Sequence, residues 1–201
     1  TMINLVDDDR LFIAPSLTWQ PDDATSLTIL TSYRRARGSE GSQGVPPDLV
    51  DQLPSDINVG DPNFDEYDQD QWSLGYEFTH EFTQNLTFSQ SARYQRLDVN
   101  YRQLYLAGPT EDPTDSPGAY HRTAYLLDET LKQFVIDTRL TAKFQTGAAQ
   151  HNLVAGVDYR HSKSVNHSDY LYAAGPIIDL LDPVYGLNFG AFPREGQASE
   201  K

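Results

Sequence analysis

The chain has 201 residues, with 29 Asp+Glu against 15 Lys+Arg and a formal net charge of -14. That is room for about one domain, and nothing in its charge offsets phosphate repulsion, which excludes a general nucleic-acid binder. Cysteine is absent, which excludes disulfides, thiolate metal sites and cysteine nucleophiles.

No apolar run approaches the ~18 residues that a spanning helix needs. A helical membrane protein is thereby excluded, but a β-barrel is not, because barrel strands alternate apolar and polar residues. The start, Thr1-Met2-Ile3-Asn4, lacks a basic segment followed by an apolar one. It reads as a processed start or as part of something longer.

In chain order, the dominant signal is period two. The first strand is predicted over about 10–20, with Leu11, Ile13, Pro15, Leu17 and Trp19 on one face. A polar turn, Pro21-Asp22-Asp23-Ala24, leads into a second strand over about 25–36, with Leu27, Ile29, Thr31 and Tyr33. The connection over about 37–69 is long and acidic, with no Lys or Arg between Gly38 and Asp70. Within it, Asp61-Pro62-Asn63-Phe64-Asp65 begins like a calcium loop. Glu66 stands where glycine is required and Trp72 where glutamate is, so the match fails. The stretch reads as a solvated surface loop, with loose divalent-cation binding as the alternative.

The third strand, about 70–83, is the clearest: Trp72, Leu74, Tyr76, Phe78, His80 and Phe82 alternate with Gln71, Ser73, Gly75, Glu77, Thr79 and Glu81. A helix would scatter these residues around its axis, whereas a strand separates them. The turn Thr83-Gln84-Asn85 leads to a fourth strand over about 86–105, with Leu86, Phe88, Ala92 and Tyr94, then a loop over about 106–127. The fifth strand, about 128–146, carries Phe134, Ile136, Leu140, Ala142 and Phe144. Across Gly147–Gln150, the sixth, about 151–165, carries Leu153, Ala155, Val157 and Tyr159. A last loop covers about 166–201, with Ile177–Leu181 its one ambiguous segment. No helix is convincing.

The fold class is therefore all-β, with about six consecutive antiparallel up-and-down strands in three hairpins. Short and long connections alternate, and loops this long suit outer-membrane barrels, which have short periplasmic turns and long extracellular loops. Aromatic residues near each turn and tyrosines up each returning strand suit two membrane–water interfaces. Soluble β-hairpins with aromatic core plugs are the alternative. The smallest single-chain membrane barrels use eight strands, and open edges are not tolerated in lipid, so the chain is expected to be an internal segment of a larger barrel.

A four-residue turn at Gly147–Gln150 sets Phe144 against Leu153 and Leu140 against Val157. It also sets Arg139 against Asp158 and Asp137 against Arg160 on the polar face. That face reads as a water-filled lumen wall supporting a plug, or as an ordinary solvated sheet face.

Signals for catalysis are poor. His80-Glu81 opens a zinc-protease-like motif, but Gln84 stands where the second histidine belongs. His80, His121, His151, His161 and His167 are scattered, and no nucleophile elbow, phosphate loop or dinucleotide fingerprint is present. No enzyme activity, cofactor or metal site is expected. The better lead is aromatic: Phe64, Tyr67, Tyr101, Tyr105, Tyr120, Tyr125, Tyr170 and Tyr172 lie at or beyond the loop-side strand ends. They could line a ligand mouth or simply pack loops.

Four ordered segments resemble the barrel of TonB-dependent siderophore receptors, in particular the ferrichrome (hydroxamate) receptor group. They are Ala14-Pro15-Ser16-Leu17-Thr18-Trp19-Gln20-Pro21-Asp22-Asp23-Ala24-Thr25-Ser26; Leu74–Phe82 with Leu86-Thr87 and Arg93-Tyr94; Asp137-Thr138 through Phe144-Gln145-Thr146-Gly147 and His151–Tyr159; and Asp182-Pro183-Val184-Tyr185. The resemblance implies a 22-stranded barrel in the bacterial outer membrane, closed by a plug, that imports a ferric siderophore. The plug domain would lie outside this chain. So would the N-terminal part through which the TonB-ExbB-ExbD complex delivers energy.

The resemblance places Tyr105, and also Tyr170, at aromatic positions lining the ligand mouth. It departs from the ferrichrome pattern at Gln43 and Val45, where that group carries a tyrosine and a tryptophan. The implied partners are a ferric siderophore, transported rather than held as a cofactor, and outer-membrane lipid, with no nucleic acid. A passive outer-membrane barrel or surface structural module is the alternative.

Overall fold

The computed structural model describes residues 3–39, 41, 44–190 and 198–200. Its elements are all strands: β1 (Asp8–Ile13), β2 (Ser16–Asp22), β3 (Thr25–Gly38), β4 (Glu66–Thr83), β5 (Leu86–Pro109), β6 (Ala119–Thr146), β7 (Ala149–Asp179) and β8 (Ala198–Glu200). They form one antiparallel sheet in the order β1-β3-β4-β5-β6-β7-β8, with β2 also on β3.

The strand expected over about 10–20 is interrupted at Ala14-Pro15. Pro15 has no N–H to give to a ladder, although its carbonyl accepts from Thr31 N at 3.1 Å. The register on β3 is unbroken across the gap, Ile13 facing Tyr33 and Ser16 facing Leu30, so the apolar face stays aligned.

All three hairpin turns are tighter than expected. Asp22 pairs with Thr25, Thr83 with Leu86, and Thr146 with Ala149. At the third, Gly147 has φ 58, the positive φ that a two-residue primed turn requires of a central residue. The β6–β7 register is therefore displaced by two residues from the expected one. Phe144 faces His151, Ala142 faces Leu153, Arg139 faces Gly156, and Asp137 faces Asp158. The expected cross-strand pairs Arg139–Asp158 and Asp137–Arg160 do not form. Arg139 instead bonds Asp137 on its own strand, at 2.8 Å. Because side chains repeat every two residues, the displacement keeps each one on its expected face. A Cβ on Gly147 would meet nothing within 4 Å, so only the backbone conformation constrains this site. Gly147→Val is expected to cost about 1–2 kcal/mol and Gly147→Asn much less, read from urea unfolding of the folded barrel.

At the other end the strands run much further than the alternation suggests. β5 and β6 stay paired to Pro109 and Tyr120, leaving a short connection where a loop over about 106–127 was expected. β7 continues to Asp179 through what was expected to be loop. The 28 residues of β6 span roughly 90 Å at ~3.3 Å per residue, far beyond an apolar band of about 25 Å.

One face of the sheet is apolar and open. Leu17 and Val157 are 70% and 72% exposed, and Trp19, Leu74, Phe82, Phe134, Leu140, Phe144, Leu153 and Tyr159 are exposed with them. These side chains do not meet one another in a sandwich; between its turns and the loop-side end, nothing among the described residues packs against this face. Aromatic clusters border it. Phe82 lies against His80 at 4.8 Å and Phe144 against His151 at 4.9 Å beside the turns, and Trp72 lies against Tyr94 at 5.3 Å at the far side. From Trp72 to Phe82 the strand covers about 33 Å, or about 25 Å of height at a barrel tilt of roughly 40°, which is the thickness of the apolar band. Arg96 and Lys132 share the register row of Trp72, so their stems lie on the apolar face with their heads at its border.

The side chains that are almost wholly buried lie elsewhere. Leu104, Gln103, Arg122, Thr123, Val59, Asn58, Asp61, Ile178 and Leu180 all belong to the loop-side end.

Candidate ligand-binding mouth

The face opposite the apolar one is polar in its lower part, with Glu77, Arg93, Asp137, Arg139, Asp158 and Arg160. Above these it becomes aromatic. Alternation is undisturbed along β5 up to Leu106 and along β7 up to Leu171. Tyr67, Tyr101, Tyr105, Tyr125 and Tyr170 therefore share this face.

Tyr67 faces Tyr101 in the ladder with ring centroids 6.1 Å apart, and Tyr101 meets Tyr125 at 5.8 Å, both edge-on. The hydroxyls of Tyr101 and Tyr105 are 2.7 Å apart. Tyr170 lies directly opposite Tyr125. The structure thus brings the two sequence-predicted residues onto one wall, joined through Tyr101 and Tyr125. Tyr105 is 37% and Tyr170 66% exposed, so both present ring surface that no other side chain covers. Next to them β7 bulges: its register on β6 shifts between Ala124 and Arg122, with Ala173 at φ 52. Within this bulge the Tyr172 hydroxyl donates to the carbonyl of Ala107, at 3.3 Å.

Two of the aromatic candidates do not belong to this wall. Phe64 and Tyr120 are buried in the core of the loops, Phe64 with Leu104, Ala124 and Leu126, and Tyr120 with Leu49, Ile57, Val59, Ile178 and Leu180. Val45 packs against the second of these clusters. Gln43 lies outside the described residues.

The acidic loop is corrected in part. Asp48, Asp51 and Asp56 are exposed, as a solvated loop requires, but Asp61 and Asp65 are buried. The Asp61 side chain accepts from Asn63 N at 2.9 Å, and from Gly186 N and Leu187 N, each at 3.3 Å. Asp65 takes the place of a neighbouring strand where β4 has not yet begun. It accepts from Leu104 N at 3.0 Å, and from Asp61 N and Gln103 Nε2, each at 3.1 Å. A Cβ on Gly60 would lie 1.7 Å from the Asp65 carboxylate, so only glycine allows this approach. Arg122, fully buried, donates to the carbonyls of Gly60 at 2.9 Å and Pro176 at 2.7 Å. Sequence reasoning missed this buttress behind the tyrosine wall. Its one signal was the Asp61-Pro62-Asn63 turn. Among the described residues, no group of three His, Asp or Glu is placed to hold a metal ion.

Burial pushes the Asp65 carboxyl up to about 6, against the N–H groups of Leu104 and Asp61 and the Arg122 charge, which favour its ionised form. A raised carboxyl stabilises the folded loop fully below its ordinary value near 4 and loses that contribution as pH rises through about 6. The difference is about 3 kcal/mol. Segment 58–65 is therefore expected to resist protease more strongly at pH 5 than at pH 8, and Asp65→Asn to flatten that dependence.

With this geometry in hand, comparison with known proteins is specific. The sequence matches the family of TonB dependent receptor-like β-barrels over residues 14–196. It is 30% identical to the ferrichrome outer membrane transporter/phage receptor of Escherichia coli (strain K12), over 89% of this chain and 26% of that protein. It is 29% identical to the ferrioxamine B receptor of Salmonella typhimurium (strain SL1344), over 89% of this chain and 25% of that one. The chain thus spans about a quarter of the length of these curated relatives. In fold it resembles the ferric-catecholate import receptor Fiu from E. coli K12, with a TM-score of 0.82 and 20% identity, over 98% of this chain and 30% of that one. The girdled apolar face, the short turns opposite long strand extensions, and a sequence match over most of its length lead to one conclusion: the chain belongs to the TonB dependent receptor-like β-barrel family of the outer membrane.

Proposed function

We propose that this chain is part of an outer-membrane receptor that captures a ferric siderophore, of the hydroxamate type, and imports it. The observation that carries the reading is the run of tyrosines on the lumen-side face at the loop-side strand ends, with Tyr105 and Tyr170 as ligand contacts. A hydroxamate siderophore surrounds its iron with its own oxygens. What it asks of a protein is ring surface for its carbon skeleton and hydroxyls for its amide and carbonyl groups. Tyrosine supplies both. The names of the ferrichrome and ferrioxamine relatives support this class over others. The polar wall below, with Glu77, Arg93, Asp137 and Arg160, suits a plug seated in the lumen, on which the TonB-ExbB-ExbD complex would act.

The fold likeness to a ferric-catecholate receptor names the rival ligand class. Intrinsic fluorescence of the full-length protein, titrated with ferrichrome, ferrioxamine B and a ferric catecholate, separates them. Saturable quenching by the hydroxamates at concentrations where the catecholate has no effect is expected. The reverse order would overturn the ligand class, and no response to any of them would favour a passive barrel.

A further inference from the structure

We propose that two long loops, segment 44–65 before β4 and segment 180–190 after β7, move as one rigid unit locked by Asp61 and Arg122. The two are far apart in sequence and are joined at several independent points. The buried Asp61 carboxylate accepts N–H groups from its own loop and from Gly186 and Leu187 of the other, so it is satisfied only while both loops are in place. The Tyr185 hydroxyl donates to the carbonyl of Asn58 at 2.7 Å. Phe64 and Phe189 lie with ring centroids 5.2 Å apart, and the Arg122 guanidinium sits 5.8 Å from the centre of the Phe189 ring.

Arg122 is the anchor. It rises from β6 on the side away from the tyrosine wall and reaches Gly60 of one loop and Pro176 at the upper end of β7. Burial pulls its guanidinium below the ordinary arginine range, and the negative charges of Asp61 and Asp65 oppose that shift. Opening either loop alone would leave a carboxylate or a guanidinium buried without its partners, which makes separate movement far less favourable than joint movement. Movement above the ends of β4 and β7 is therefore movement of the pair and not of either loop singly.

The test uses the full-length protein in outer-membrane vesicles. The chain contains no cysteine, so once any cysteine elsewhere in the full-length protein is replaced by serine, Val50→Cys with Val184→Cys, both at exposed positions, places one nitroxide on each loop. Spin–spin distance measurement is expected to give one narrow distribution. It should stay narrow with saturating ferrichrome or ferrioxamine B, and broaden on Asp61→Ala. Amide exchange at 185–189 is expected to rise at least tenfold in the same variant, although the substitution lies in the other loop. A broad or two-peaked distribution before Asp61 is touched overturns the proposal. So does a siderophore-dependent change in the distance, or faster exchange confined to 58–65. The first distribution needs no destabilised variant, so it decides the matter even if Asp61→Ala fails to insert. The ligand-free distribution and the exchange rates do not depend on siderophore binding, so the lock can hold or fail independently of the ligand assignment.

Discussion

Tyr105→Ala and Tyr170→Ala, each made in the full-length protein, are expected to weaken ferric-hydroxamate binding by about 10- to 100-fold without loss of folded receptor. The loss corresponds to roughly 1–3 kcal/mol, the usual worth of an aromatic contact in a desolvated site. Folding is spared because both rings are partly or largely exposed and sit on the face that carries no core. Phenylalanine variants divide the effect. Tyr105→Phe keeps the ring and removes only the hydroxyl contact with Tyr101, so a few-fold loss is expected. Fluorescence titration with ferrichrome and ferrioxamine B measures all three variants. Unchanged affinity in both alanine variants removes these tyrosines from the site.

A second large effect is expected on the opposite face. Ile136 shares a register row with Tyr76 and Ala92, midway between the two aromatic borders. Its neighbour Val135 points to the other side of the sheet. Ile136→Arg places a charge near the bilayer midplane and is expected to cost about 2–4 kcal/mol of folding free energy. Val135→Glu places a carboxylate directly between Arg93 and Arg160 in one register row, and is expected to cost well under 1 kcal/mol. Urea titration of folding into lipid vesicles compares the two. The reverse order of costs would mean that the faces are assigned the wrong way round, and equal costs that neither faces lipid.

These contrasts also explain what the sequence could disclose. Between the aromatic borders each strand has hydrocarbon on one side and water on the other, so residues such as Trp72 to Phe82 alternate cleanly and the strands are legible. Beyond the upper border that asymmetry ends. Leu104 and Leu106 face the packed loops while Tyr101 and Tyr105 face the mouth, so both sides carry large side chains and the period-two signal fades. The alternation accordingly predicts loop at the upper ends of β5, β6 and β7. The Gly147 hairpin is a different case. Two- and four-residue turns fit the local sequence equally well and preserve the faces, so alternation alone could not distinguish the registers. Composition misled at Asp61 and Asp65, because a count of carboxylates does not show which of them will be satisfied by backbone N–H groups. The candidate mouth was legible in part. Tyr105 and Tyr170 were named from a resemblance. Their sharing one wall follows from unbroken alternation, but the contacts that link them through Tyr101 and Tyr125 required coordinates.

The loops of this chain share a core built from three separate stretches: segment 44–65, the β5–β6 tip, and the end of β7 with the residues that follow it. A chimera that exchanged only one of these stretches with a relative would strand half of an apolar interior in water. Recombination within this family should therefore succeed where the crossover points carry all three stretches together, so that the loop-side end is inherited as a cassette rather than loop by loop.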